Sequence, residues 1–108
     1  MADILTTNTK GHPMNRDAIL DHAKLLINGP RANDYGDAEL NFTHIAQGWQ
    51  IILGSQCHIS AAQVALCLDW LKTCRLVKTP EHLDSYADKL GYTALAAEIA
   101  TKGQNNDL

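Results

Sequence analysis

Nothing in these 108 residues alternates apolar and polar with period two, so no β-strand is expected. No apolar run approaches the length of a membrane span, and the first residues lack a basic-then-apolar signal pattern. Cations are in deficit as well. Nine Lys and Arg against twelve Asp and Glu leave a net charge of −3, which gives no general attraction for a nucleic-acid polymer or an anionic membrane. Any phosphate would have to be met by a few placed cations. The three cysteines, Cys57, Cys67 and Cys74, form no C-x-x-C, so a reduced, cytoplasmic protein is expected. His12, His22, His44, His58 and His82 contain no H-x-x-x-H pair and no cysteine at zinc spacing. A P-loop, a G-x-G-x-x-G and a G-x-S-x-G are all missing.

What is present is helical periodicity in a chain long enough for one core. Residues 1–14 read as a flexible arm, 15–101 as a single helical domain and 102–108 as a flexible tail. The first helix starts at the N-cap Asn15 and runs to about Asn28, with Ile19, Ala23, Leu26 and Ile27 on one face. Gly29-Pro30 stops it, glycine suiting a left-handed residue after the helix. The second runs from the cap Asp37 to Leu53 and ends at Gly54. Its apolar face is Phe42, Ile45, Ala46, Trp49 and Leu53. Asp37, Asn41, His44 and Gly48 form a second stripe at helical spacing.

Ser60 and Gln63 make a capping-box pattern and open a third helix to Val77. Apolar almost all round, this helix is expected at the centre, with Cys67 and Cys74 buried in it. Asp69, Lys72 and Arg75 are its conspicuous charges, and charges so placed must pair or meet a ligand. Thr79 as cap and Pro80 at the first position begin a fourth helix, continuing to about Thr101. Its buried face is expected to be Leu83, Ala87, Leu90, Ala94 and Ala97, with Gly91 allowing close helix approach. Four helices with short connections make an all-α, small antiparallel bundle. Its many apolar faces make a homo-oligomer plausible.

Three constellations could carry chemistry. Asp84 and Asp88 project from one helix face and could share a divalent cation; equally they could form a solvated acidic face. Lys72 and Arg75, three residues apart, could clamp a phosphate or simply neutralise Asp69, Asp84 or Asp88. Arg31 to Asp37 is a loop feeding a helix N-terminus, where backbone N–H groups suit an anion and Tyr35 could stack on a base; it is also an ordinary turn plus cap. His44 is the histidine to watch, against the plainer reading of a partly exposed helix residue.

The run Tyr35-Gly36-Asp37, Asn41-Phe42, Ile45-Ala46, Trp49, Val64-Ala65-Leu66, Lys72, Arg75, Asp84, Asp88 and Gly91-Tyr92 resembles a family of short, mostly phage-encoded proteins of unassigned function. The likeness covers roughly Asn15 to Ala100. More distantly, the order of these residues is similar to that of phage nucleotide-modification-associated helical domains and of the MazG-type nucleoside triphosphate pyrophosphohydrolases. Those enzymes bind magnesium through acidic residues of two helices and cleave between the α- and β-phosphates. The resemblance implies a MazG-like bundle in which Asp84 and Asp88 hold Mg²⁺ and, with Lys72, form the catalytic set. Lys72 and Arg75 would contact phosphate, while Arg31, Tyr35, Asp37, Asn41, Trp49 and Tyr92 would shape a nucleotide pocket. The chain departs from the MazG-type pattern at the first acidic helix, where Asp37, Glu39 and Asn41 stand in place of Glu-x-x-Glu. The expected ligand is a nucleotide or nucleotide-like phosphate. The alternatives are a non-catalytic sponge for a host signalling nucleotide in phage counter-defence, or a protein–protein inhibitor anchored by Trp70 or Trp49.

Overall fold

The computed structural model describes residues 14–29 and 37–104. Among them are four helices and no strand: α1 (Arg16–Asn28), α2 (Ala38–Leu53), α3 (Ala61–Lys78) and α4 (Leu83–Ala100). The all-α bundle expected from the periodicity is present.

Local chemistry sets most of the helix ends. The Asn15 side chain accepts the Ala18 N–H at 2.8 Å, and Asp37 accepts that of Glu39 at 2.9 Å. At α3 the capping box is complete: Ser60 Oγ accepts from Gln63 N at 3.1 Å, and Gln63 Oε1 from Ser60 N at 2.9 Å. Gly54 ends α2 in the left-handed region, φ 60°.

Two ends differ from expectation. Gly29 is extended, not left-handed, with φ −84° and ψ −165°. The residue before a proline is pushed out of helical space, and Gly29 precedes Pro30. Glycine is still required there, because a Cβ would collide with the Leu25 carbonyl oxygen. Thr79-Pro80 does not open α4. Thr79 closes α3, its N–H bonding the Arg75 carbonyl at 3.0 Å, and α4 begins three residues later, after His82. The Pro80 carbonyl instead accepts the Tyr86 hydroxyl at 2.8 Å, which folds the turn back onto α4.

α3 and α4 form a close antiparallel hairpin. Contacts run Arg75–His82, Lys72–Asp88, then Asp69 to Lys89 and Thr93, rising along one helix as they fall along the other. α2 lies across the open end of this hairpin. Its first turn reaches the end of α4 through Glu39–Lys102 at 2.6 Å, and its last turns reach the start of α3 through Gln50 Oε1, which accepts the Ile59 N–H at 2.9 Å. The hydrogen bond and charge of Glu39 hold the Lys102 pKa above the ordinary lysine value. On the alkaline side that exposed contact is lost as pH rises through the raised value. Under α2 sits the core of Phe42, Ala46, Val64, Ala65 and Ala96, with Ile45, Trp49, Leu68 and Tyr92 packed on it. Leu53, expected on the core face, overruns the hairpin and is exposed.

α1 packs on the opposite side of α4, so that helix, and not α3, has close partners on both its sides. The expectation of a buried central α3 fails because α4 and α2 cover only one side of it. Leu66, Trp70, Leu71 and Val77 are exposed, as are Cys67 and Cys74. Burial from two sides also changes the face of α4. Ala87 is buried as expected, together with Ser85, Gly91 and Ala96, but Leu90, Ala94 and Ala97 are not. The close approach at Gly91 is real: a Cβ there would stand 3.1 Å from Ile27 Cγ2 of α1.

Candidate functional site

Polar side chains gather where α3 meets the first half of α4. Lys72 Nζ stands 3.1 Å from Asp88 Oδ2, both groups part-exposed at the rim of the hairpin. One turn further along each helix lie Arg75 and Asp84. Arg75 is exposed and its guanidinium donates to His82 Nε2 at 3.1 Å. Arginine can only donate, so His82 Nε2 accepts and its Nδ1 carries the proton toward the buried Ser85 Oγ at 2.8 Å.

Asp84 is 44% exposed and faces His22 of α1, Oδ1 to Nε2 3.4 Å. His22 is 1% exposed, and neither of its ring nitrogens has a hydrogen-bond partner. The 3.4 Å approach is thus an electrostatic contact and falls short of a bond. Sequence reasoning passed over His22 in favour of His44, which is exposed on α2. The available signal was position: His22 is three residues after Ile19 and four before Leu26, inside the apolar face of α1.

On the far rim of the hairpin, Asp69 is bound by the Lys89 ammonium, which also donates to Thr73 Oγ1 at 2.6 Å. Asp69 is thus neutralised by Lys89, leaving Lys72 and Arg75 to the other rim. One face of the α3/α4 hairpin therefore carries two cations, two carboxylates and, beneath them, an unsatisfied imidazole.

The other expected residues are distributed differently. Asp37 is the α2 cap and Asn41 is exposed in the same turn, which Glu39 ties to the C-terminal end of α4, remote from Asp84 and Asp88 in its first turns. Trp49 is packed on the core, and the Tyr92 ring lies 6.5 Å from that of Phe42 at 56°. Arg31 and Tyr35 lie outside the described residues. The structure brings together Lys72, Arg75, Asp84 and Asp88 and does not bring Asn41 to them.

Among the described residues no group of three or more His, Cys, Asp or Glu side chains is arranged around a common metal position. Asp84 and Asp88 are the two carboxylates on this face, and Asp88 is already paired with Lys72. A separate groove of about 350 Å³ runs between α1 and α4, lined by Leu20, Ala23, Ile27, Leu90, Ala94 and Ala97 and nearly devoid of polar surface. Lys24 and Thr93 also border it, so its only cation is the single exposed lysine. No helix among the described residues is long and apolar enough to cross a membrane.

Fold and site define a four-helix all-α domain with a mixed-charge face on an antiparallel hairpin. Within that class the chain belongs to the family described as a domain of unknown function, DUF6378, whose model matches residues 18–100. It is 35% identical over 82 residues to the Gene 55 protein of Mycobacterium phage L5, a match covering 76% of this chain and 52% of that protein. It is 34% identical over 83 residues to the Gene 55 protein of Mycobacterium phage D29, covering 77% and 54%. The chain spans about half the length of these relatives. The expected kinship with phage proteins of unassigned function is therefore shown, and the family match includes the whole mixed-charge face. No solved structure matches the chain.

Proposed function

We propose that the mixed-charge face of the α3/α4 hairpin binds a nucleotide or similar phosphate ester, and that its activity is Mg²⁺-dependent pyrophosphohydrolysis of a nucleoside triphosphate. The observation that carries this reading is the alternation of Lys72 and Arg75 with Asp88 and Asp84 over two turns of a helix pair, all at least partly open to solvent. A metal-bound polyphosphate needs both signs of charge at this spacing. Arg75 would take phosphate oxygens with the two-pronged geometry of a guanidinium, and Lys72 would follow as a point charge. Asp84 and Asp88 would hold the metal, which when bound neutralises phosphate oxygens and acidifies water. The loosely held Asp84 is free to do so. Asp88 must first leave Lys72, so ligand binding exchanges one ion pair for two: Lys72 to phosphate and Asp88 to the metal. His22 lies beneath Asp84 on the buried side, 3.4 Å away.

A second reading follows from the same exchange. With Asp88 held by Lys72, only Asp84 is uncommitted, and a site with one free carboxylate suits capture of a nucleotide without turnover. In a phage setting that would be a sponge for a host signalling nucleotide.

Incubation with a panel of nucleoside triphosphates and cyclic dinucleotides, with and without Mg²⁺, separates these readings. Pyrophosphate release that needs Mg²⁺ and disappears in Asp88→Ala establishes the hydrolase. A ligand-induced rise in melting temperature with the ligand recovered intact, lost in Lys72→Ala and Arg75→Ala, establishes the binder. Neither signal with any ligand overturns both.

A further inference from the structure

Two of the charged residues of α3, Asp69 and Lys72, pair with α4, while many of its large apolar residues face solvent. Asp69, Lys72 and Thr73 point into the hairpin, whereas Leu66, Cys67, Trp70, Leu71, Cys74 and Val77 occupy the outer surface. An ordinary surface helix has the opposite arrangement. Such a helix has a second burial partner, and among the described residues nothing fills that role.

We propose that this outer face of α3 is the interface of a symmetric homodimer, packing on the same face of a second copy. Three features select a second copy as the occupant. First, Cys67, Trp70, Cys74 and Val77 are spaced three, four and three residues apart, the repeat with which a helix meshes with an identical helix. An isologous interface needs a face complementary to itself, and this repeat provides one. Second, the stripe carries no charge until Lys78 at its end, so two copies meet without like-charge repulsion across the contact. A membrane surface would instead demand cations along the length of the apolar stripe, whereas α3 has Arg75 and Lys78 beside it in the last turn alone, in a chain whose net charge is −3.

Third, the area is sufficient. Trp70 is 65% exposed, Val77 80%, Leu71 60% and Leu66 54%. With a whole tryptophan contributing up to about 250 Å² and aliphatic side chains somewhat less, these four present on the order of 500 Å². That equals the largest apolar patch a monomer usually leaves open. Doubled across a twofold axis it reaches about 1,000 Å², the threshold of a specific interface.

The chain carries its own probes, since Cys67 and Cys74 lie within the stripe on either side of Trp70 while Cys57 lies in the α2–α3 loop. Sedimentation equilibrium of the full chain should give twice the chain mass, and Trp70→Glu should return it to the monomer. Because Trp70 is exposed, the helical circular-dichroism melt of that variant should persist at low concentration. Maleimide labelling of Cys67 and Cys74 should slow as wild-type concentration rises from micromolar to hundreds of micromolar, and stay fast in Trp70→Glu, with Cys57 unchanged throughout. Monomer mass over that whole range overturns the proposal, as does a dimer that survives both Trp70→Glu and the double variant Leu66→Glu/Val77→Glu. Should Trp70→Glu fail to fold, wild-type labelling decides alone: rates at Cys67 and Cys74 independent of concentration also refute it.

Discussion

Toward α3, α4 presents Asp88, Lys89 and Thr93, and each finds a partner: Lys72 for the first, Asp69 for the other two. Toward α1 it presents Ala87 and Gly91, which let the helices approach closely, and the polar side chain trapped there, His22, makes no hydrogen bond. One helix is thus held on one side by paired charges around a small apolar core and on the other by close contact of small residues. The first side tolerates solvent at its rim because its charges are matched. The second packs small residues closely and leaves an imidazole unsatisfied, an arrangement that costs stability.

The contrast is broken most severely from above the hairpin. Phe42 is 5% exposed and packs against Tyr92 and the alanines and Val64 of the core. Phe42→Ala should cost about 3–5 kcal/mol, the range for truncating a buried aromatic. Urea denaturation followed by circular dichroism measures this, and a loss below 1 kcal/mol would mean that α2 contributes little to the hairpin.

On the other side of α4, Gly91→Leu should cost about 1–3 kcal/mol, because the new side chain must displace Ile27 of α1. The damage should be local. Hydrogen exchange should show α1 amides losing more protection than those of α3, and fluorescence of Trp49 and Trp70, both on the α2/α3 side, should change little in the native state. Equal loss of protection in both helices would show that the two sides of α4 are one cooperative unit.

These two substitutions also divide what the sequence made legible from what it hid. Asn15, Asp37, Ser60 with Gln63 and Gly54 announce helix ends because a cap is satisfied within a few residues of chain. Gly91 was readable too, as a glycine among alanines on one helix face, although Gly48 inside α2 shows that a helix glycine alone does not imply close packing. The start of α4 was not readable: Thr79-Pro80 has the right local chemistry, but His82 is tied by Arg75 and Ser85 in a contact that spans the turn. The exposure of α3 was hidden for a deeper reason. Apolar periodicity states that a face will be covered and is silent on whether this chain covers it. At the site, the pairing of opposite charges was legible from Lys72, Arg75, Asp84 and Asp88. The separation of Asn41 from them depends on α2 crossing the hairpin, which no local pattern encodes.

A double-mutant cycle on Asp69 and Lys89 sharpens the paired side. Both groups are about a quarter exposed. Asp69→Asn, Lys89→Met and the double variant should give a coupling of about 1–2 kcal/mol, above that of an open surface pair and below that of a fully buried one. Because both rims are open to solvent, the coupling should shrink in high salt. A coupling near zero would mean that packing alone holds the α3/α4 seam.

The smallest effect has the opposite sign. His22→Leu replaces an unsatisfied imidazole, 1% exposed, with an apolar side chain of similar bulk against the same α4 neighbours. Removing a buried polar group without a partner relieves a penalty of about 1–3 kcal/mol, and imperfect packing together with the lost attraction to Asp84 returns part of that. The net expectation is a gain of about 1 kcal/mol. A histidine whose removal stabilises the fold is kept for something other than the fold, so the same variant should weaken whatever ligand the Asp84 face binds. If His22→Leu instead destabilises by 2 kcal/mol or more, the imidazole has a partner in solution, and the two sides of α4 are alike in satisfying every buried polar group.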